Sequence, residues 1–326
     1  MIQPVIAIHG GAGAMSRAAM TAEKEQEYLS ALHGILEAGQ AVLARGGSAL
    51  DAVTEAVRLL EDCPLFNAGH GAVFTSAGTH ELDACIMDGA TLRSGAIANV
   101  DCVRNPVLAA RKVMEQSKHV LFVGKGAEAF AREQGLEIVD PSYFSTEARR
   151  EQLLRVQRET PEAAVLDHDG QALVAGVRPA PADPLDPDRK YGTVGAVAVD
   201  AQGNLAAATS TGGVTNKQVG RVGDAPLVGA GCYASNRTCA VSTTGTGEMF
   251  IRMVAAYDVA AQMEYAGVSL QVAADRVVHD KLPTIAGQGG LIAVDAQGNV
   301  ALPFNTEGMY RGYARVGEAP VTAIYR

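Results

Sequence analysis

KYGTVGAVAVDAQGNLAAATSTGG, residues 190–213, is the stretch on which the fold turns. Thr193 opens a run of small and β-branched residues, TVGAVAV, whose two alternating faces are both apolar or tiny. A strand of that kind is covered on both sides. A tight turn follows, with Gly203 supplying the positive φ it needs, and LAAATST returns as a second strand. The six residues VDAQGN recur at 294–299, so 289–305 predicts a second hairpin with Gly298 at its tip. Two helices, about 247–265 and 269–281, are expected between the hairpins. Upstream the sequence is of the opposite kind: residues 179–188 hold four prolines and three aspartates. We read about 160–192 as a flexible linker that ends abruptly on a threonine at the mouth of a buried strand.

The first half reads differently. VIAIHGGAG (5–13) predicts a buried strand entering a Gly-rich turn. Residues 23–47 show helical apolar spacing with a Gly-Gly stop, and a second helix runs from Ser48, a plausible N-cap, to Pro64. Short strands are expected at GAVFT (71–75), ELDACIMDG and SGAIANV. A helix at NPVLAARKVMEQ, a strand at HVLFVG, a helix at KGAEAFAREQG and a polar helix at TEARREQLLRVQRET complete this part. Helices, a sheet, a linker, then sheet and helices again predict an α/β fold of four layers, helix, sheet, sheet, helix, as one domain over 1–326.

The chain has 326 residues, net charge −9, 36 glycines and five cysteines. At this length roughly three quarters of the unfolded surface can be buried. The charge and the lack of a basic block exclude a nucleic-acid partner. Cys63, Cys85, Cys102, Cys232 and Cys239 are scattered and odd in number, which predicts reduced core thiols and a cytoplasmic location. MIQPVIAIHGGAG lacks the features of a signal peptide, and no apolar run is long enough to span a membrane.

On composition alone, the junction at Thr193 is an exposed loop entering a strand. The chemical alternative is that Thr193 becomes a new N-terminus. A threonine hydroxyl is a poor nucleophile without an adjacent base. A free α-amine on the same residue, with a pKa of about 7.7–8.0, can be that base at neutral pH. Liberating it requires cutting Gly192–Thr193, and a glycine before the threonine makes the contorted backbone of that step cheaper.

KYGTVGAVAVDAQGNLAAATSTGG, GRVGDAPLVGAGCYA (220–234) and TTGTGE (243–248), with IHGGAG, CPLFNAGHGAVF, ELDACIMDG and LPFNTEGMYR, together resemble the plant-type asparaginases, also called isoaspartyl peptidases. These are N-terminal-nucleophile hydrolases, and the resemblance spans nearly the whole chain. It implies a four-layer αββα sandwich with two mostly antiparallel central sheets. It implies self-cleavage into an α piece, 1–192, and a β piece, 193–326, assembled as a dimer of αβ units (α2β2). It also implies hydrolysis of L-asparagine and of β-aspartyl dipeptides, with glycosylasparaginase as the neighbouring alternative.

Carried over residue by residue, the resemblance makes Thr193 the nucleophile and Thr211 its hydrogen-bond partner. Arg221 grips the substrate α-carboxylate and Asp224 its α-ammonium, where a bland reading would be a surface ion pair. The Thr244 hydroxyl and Gly245 amide form the oxyanion hole, and Gly247 lies against substrate. Read alone, TTGTGE is a phosphate-cradling turn, but it lacks the lysine of a Walker loop, and Glu248 would repel phosphate. Asn67 lies close to the nucleophile. Leu60, Glu61, Cys63, Phe66, Ala68 and His70 offer main-chain carbonyls to a structural sodium ion, an oxygen-only set suited to a hard cation. No cofactor is implied for catalysis. His9 is expected to be structural, since the base is carried on Thr193, and no G-x-S-x-G exists in the chain.

Overall fold

The computed structural model of the chain describes residues 2–13, 20–159 and 192–326, so the linker expected at about 160–192 lies outside the described residues except at Gly192. The first part runs β1 (Val5–Gly13), α1 (Ala22–Ala44), α2 (Ala49–Asp62), β2 (Leu82–Asp88), β3 (Ser94–Val100), α3 (Pro106–Gln116), β4 (Leu121–Val123), α4 (Gly124–Glu133) and α5 (Glu147–Glu159). The second runs β5 (Val194–Val199), β6 (Leu205–Thr211), β7 (Cys232–Ala234), β8 (Cys239–Gly245), α6 (Gly247–Met253), α7 (Ala255–Ala266), α8 (Leu270–Asp275), β9 (Gly289–Asp295), β10 (Val300–Ala301), β11 (Gly308–Arg315) and β12 (Val321–Tyr325). No helix among the described residues is long and apolar enough to cross a membrane. All five cysteines are free thiols.

Local chemistry explains most of these boundaries. Ser48 accepts a hydrogen bond from the Asp51 amide at 3.1 Å and starts α2; a cap of this kind stabilises a helix by about 1 kcal/mol. The two VDAQGN turns are built alike. Asp200 Oδ1 accepts from the Gln202 and Asn204 amides, and Asp295 Oδ1 from those of Gln297 and Asn299, all at 2.9–3.0 Å. Gly203 and Gly298 take φ of 83° and 81°.

Three expectations need correction. GAVFT is not a strand; apart from one bridge from Thr75 to Lys217, its groups serve a loop, with the Val73 amide bound to the Asn67 side chain at 2.9 Å. The glycines of IHGGAG are not a turn but the end of β1, with a bulge between His9 and Gly11. The helix expected at 247–265 breaks at Val254, which sits at φ 49°. The break lets the Gly229 and Ala230 carbonyls accept the first amides of α7, from Tyr257 at 2.8 Å and Ala256 at 3.2 Å. The 269–281 helix also loosens, α8 passing into a wide turn over Arg276–Lys281.

The described strands form two sheets. The larger has eight strands in the order β12-β11-β1-β5-β6-β2-β3-β4, and the smaller four, β10-β9-β8-β7. All neighbours are antiparallel except β3 and β4. β5 and β6 are buried at every residue, as their doubly apolar sequence predicts. Alternate residues of these strands join different clusters. Val194, Ala196 and Ala198 pack with Leu60, Val53 and Val57 of α2, while Val197 and Val199 pack with Ala240, Ile292 and Val294 of the small sheet. The other face of the small sheet, Val241 and Ala293, packs with Phe250, Val259 and Val277.

Candidate active site

Thr193 is 1% exposed and immediately precedes β5. Val194 pairs with Ser210, so the register places Thr193 opposite Thr211, and Thr211 in turn pairs with Asp83 of β2. Side-chain alternation sends Val194 and Leu82 into the α2 cluster and Ser210 to Glu61 of α2 at 2.7 Å. Thr193, Thr211 and Asp83 therefore share the opposite face, turned toward the small sheet. Gly192 backs directly onto Gly11 of β1; a Cβ there would also meet the Ala12 amide at 3.1 Å. That close approach of two backbones explains the glycine on each side.

The Asn67 loop is stitched to the end of β6. Asn67 Nδ2 donates to the Gly213 carbonyl at 2.6 Å, its Oδ1 accepts from Val73, and its own carbonyl accepts the Gly212 amide at 3.0 Å. Thr211 Oγ1 accepts the Gly213 amide at 3.0 Å. Gly69 and Gly71 adopt φ of 51° and 101°. A Cβ on Gly71 would lie 2.6 Å from the Pro64 carbonyl oxygen and 2.9 Å from that of Phe66, so main-chain oxygens crowd a space only glycine leaves open. The Glu61 carbonyl accepts the His70 amide at 2.7 Å, and those of Leu60 and Cys63 accept only long bonds of 3.3 Å. Main-chain oxygens are the donor type a hard cation takes, but the Glu61 carbonyl is already engaged by the His70 amide. The Asp101, Cys102 and Glu128 group is a poorer metal candidate, because Lys125 already binds both carboxylates at 3.0–3.3 Å.

His9 is buried and neutral. Its Nε2 lies 2.9 Å from Ser242 Oγ, which lies 2.7 Å from Thr209 Oγ1, and Thr209 donates to the Gly231 carbonyl at 3.0 Å. Burial pushes the imidazole down to about 3, so it is too weak a base to activate a hydroxyl. Glu61, behind the same sheet, is pushed up to about 8 by burial, against hydrogen bonds from Ser210 and Val107.

Successive residues of β8 serve two places. Thr244 Oγ1 accepts the Ala12 amide at 3.3 Å, next to Gly192. Thr243 Oγ1 donates to Asp224 Oδ2 at 2.7 Å. Gly245, at φ 153°, closes β8 where a Cβ would meet the Phe250 ring at 2.6 Å. Asp224 is 2% exposed, and burial pushes its carboxyl up to about 6. A Cβ on Gly247 would lie 2.9 Å from Arg221 Nη2 and 3.0 Å from Asp224 Oδ1, so the two charges line one glycine-vacated space. The surface Arg221–Asp224 pair of the bland reading is not what forms. Arg221 is ion-paired to Glu248 instead, at 2.9 Å.

The structure thus joins Thr193, Thr211 and Asn67 at the ends of the central strands β5 and β6, and Arg221, Asp224 and Gly247 at another place beyond β8. Sequence reasoning missed Glu248 as a partner of Arg221, Thr243 as the anchor of Asp224, and a buried cation. Lys217 Nζ donates to the Glu81 carbonyl at 2.8 Å, beside Gly213 and within the field of Asp83 and Arg221. A lysine after a TGG turn carries no sequence signal of burial.

Comparison with known proteins gives the same direction. The sequence profile of the family described as asparaginase matches residues 2–324. An isoaspartyl peptidase of Escherichia coli strain K12 is 62% identical over 326 residues, covering 100% of this chain and 97% of the relative. An isoaspartyl peptidase of Salmonella typhimurium is 63% identical over 326 residues, covering 100% of both. An isoaspartyl peptidase/L-asparaginase of Xenopus laevis is 40% identical over 308 residues, 94% of this chain and 91% of the relative. With a family profile and full-length relatives in agreement, the chain belongs to the asparaginase family.

Proposed function

We propose that this protein is an amidohydrolase with an N-terminal threonine, acting on L-asparagine and on β-aspartyl dipeptides. Maturation begins when Thr193 Oγ attacks the Gly192 carbonyl carbon. The peptide nitrogen leaves as the α-amine, and water hydrolyses the resulting ester to give chains 1–192 and 193–326. The new α-amine, with a pKa of about 7.7–8.0, then takes the Thr193 hydroxyl proton. Oγ attacks the side-chain carbonyl carbon of the bound aspartyl group. The leaving group departs with that proton as ammonia or as an amino acid, and water cleaves the β-aspartyl ester to release aspartate.

Arg221 binds the substrate α-carboxylate and Asp224 its α-ammonium, so the pair recognises a free zwitterion and disfavours a blocked peptide. Gly247 leaves room for that end of the substrate. The Thr244 hydroxyl and Gly245 amide stabilise the oxyanion, a contribution of about 3–4 kcal/mol where such donors are preset. Thr211 bonds the nucleophile, and Asn67 ties the end of β6 to the 60–70 loop. Leu60, Glu61, Cys63, Phe66, Ala68 and His70 would hold a sodium ion by their carbonyls, and the ion would supply a fixed positive charge on which that loop folds. We further propose a four-layer arrangement, helices on the outer face of each sheet, and an α2β2 assembly. The three separate apolar clusters support the layering.

One observation carries the assignment: the register that sets Thr193, just after a glycine held against Gly11, opposite Thr211. Intact-mass measurement of purified protein should show two chains parting at residue 193. Thr193→Ala should remain one inactive chain; hydrolytic turnover by it would end the proposal. Glycosyl-asparagine assayed beside β-aspartyl-leucine separates this reading from a glycosylasparaginase.

A further inference from the structure

We propose that Glu248 is a positioning residue for substrate recognition, one that holds the Arg221 guanidinium by one edge and keeps it from closing on Asp224. The inference rests on the reading of Arg221 and Asp224 as the zwitterion-binding pair. Those two residues are opposite charges three positions apart, and both line the space left by Gly247. Left to themselves, a partly buried guanidinium and a buried carboxylate would pair, and the site would neutralise itself before any substrate arrived.

The geometry prevents this. Arg221 Nε donates to Glu248 Oε1 and Arg221 Nη2 to Glu248 Oε2, each at 2.9 Å, a two-pronged contact that fixes the plane of the guanidinium. Asp224 is anchored separately, by Thr243 Oγ1 at 2.7 Å. A guanidinium has a second bidentate edge, formed by Nη1 and Nη2. With Glu248 on the Nε side, that second edge is the one offered to an incoming carboxylate. Gly223 completes the arrangement, since a Cβ there would come within 2.9 Å of Nη1. Gly247 and Glu248 are consecutive, so a single turn at the start of α6 supplies both the open space and the clamp. Glu248 itself is 38% exposed at its side chain, so it keeps part of its hydration while orienting an arginine that is 14% exposed.

An opposite role is conceivable on the same contact: Glu248 could occupy the place of the substrate carboxylate and compete with it. The two roles predict opposite signs. The test is steady-state kinetics of fully matured enzyme on β-aspartyl-leucine, with wild type, Glu248→Ala, Glu248→Gln and Arg221→Ala. Glu248→Ala should raise KM about tenfold or more, the loss expected when a charge-assisted contact is misaligned, with kcat within about threefold. Glu248→Gln, which keeps one acceptor oxygen and the same shape, should fall between. The inhibition constant for L-aspartate should move by the same factor as KM, whereas that for its α-carboxamide should not move. A general structural defect would weaken both inhibitors alike. Unchanged or tighter binding in Glu248→Ala overturns the proposal, as does equal weakening of the two inhibitors. If the alanine variant does not fold, the glutamine variant decides by the same criteria. If Arg221→Ala binds as wild type does, the zwitterion reading itself fails; if it weakens binding and the Glu248 variants do not, only this inference fails.

Discussion

Gly247→Ala is the substitution on which folding and recognition should move in opposite directions. The added methyl would sit 2.9 Å from Arg221 Nη2, 3.0 Å from Asp224 Oδ1 and 3.3 Å from the Asp224 amide nitrogen. The arginine head is the one member of that set at the end of a long side chain, so it would yield, giving up part of its partly exposed contact with Glu248 at small cost to the fold. At the start of α6, alanine in place of glycine favours the helix by up to about 1 kcal/mol. Stability should therefore be unchanged or slightly higher. Recognition should suffer, because the methyl fills the space where the substrate's charged end meets both residues. Misaligning one charge-assisted contact costs about 1.5–3 kcal/mol, or about 10- to 150-fold in KM. Urea unfolding and kinetics on β-aspartyl-leucine, run on the same matured preparation, measure the two effects. A Gly247→Ala enzyme with wild-type KM would refute the placement of substrate between Arg221 and Asp224.

Other outcomes follow from the same geometry. Asp224 must be ionised to bind an ammonium, and burial holds its carboxyl near 6; kcat/KM should fall as pH drops through that value, and Asp224→Asn should lose this limb along with most activity. The sign for stability is the reverse. A carboxyl raised on folding contributes stability below its unfolded pKa and loses it as pH rises through about 6, so Asp224→Asn should gain on wild type between pH 4 and 7 in urea titrations. Asn67→Leu strips partners from the buried Gly213 carbonyl and Val73 amide; at about 1–3 kcal/mol for each orphaned group, unfolding should be easier by about 2–6 kcal/mol. Val254 is a β-branched residue at φ 49° and 45% exposed; Val254→Gly should relieve about 1 kcal/mol of backbone strain and raise the urea midpoint.

The parts legible in the sequence are those set by near neighbours along the chain. The hairpin at 194–211 was visible because alternation and turn chemistry act within a few residues, and the repeat of VDAQGN marked an aspartate that bonds amides two and four positions on. That Thr193 stands beside Thr211 was implied by the resemblance, and the structural register, with Val194 opposite Ser210, agrees with it. Ser48 announced α2 for the same local reason. GAVFT misled because a strand-like composition says nothing of where its amides go, and the Asn67 side chain takes one of them. The 247–265 helix misled because its break is imposed from outside, by the carbonyls of Gly229 and Ala230.

Sequence by itself therefore determined the α/β class and the hairpins, and its motifs, through the family they resemble, named the residues of the candidate site. The tertiary structure alone decided how their charges are partnered: Arg221 with Glu248 across 27 positions, Asp224 with Thr243, Glu61 with Ser210 across 149, and a fully buried Lys217 beneath Gly213. The physical reason is that periodicity and turn chemistry are local properties of a chain. The partner of a buried charge depends on which surfaces the fold brings together, and on which of them a glycine leaves open.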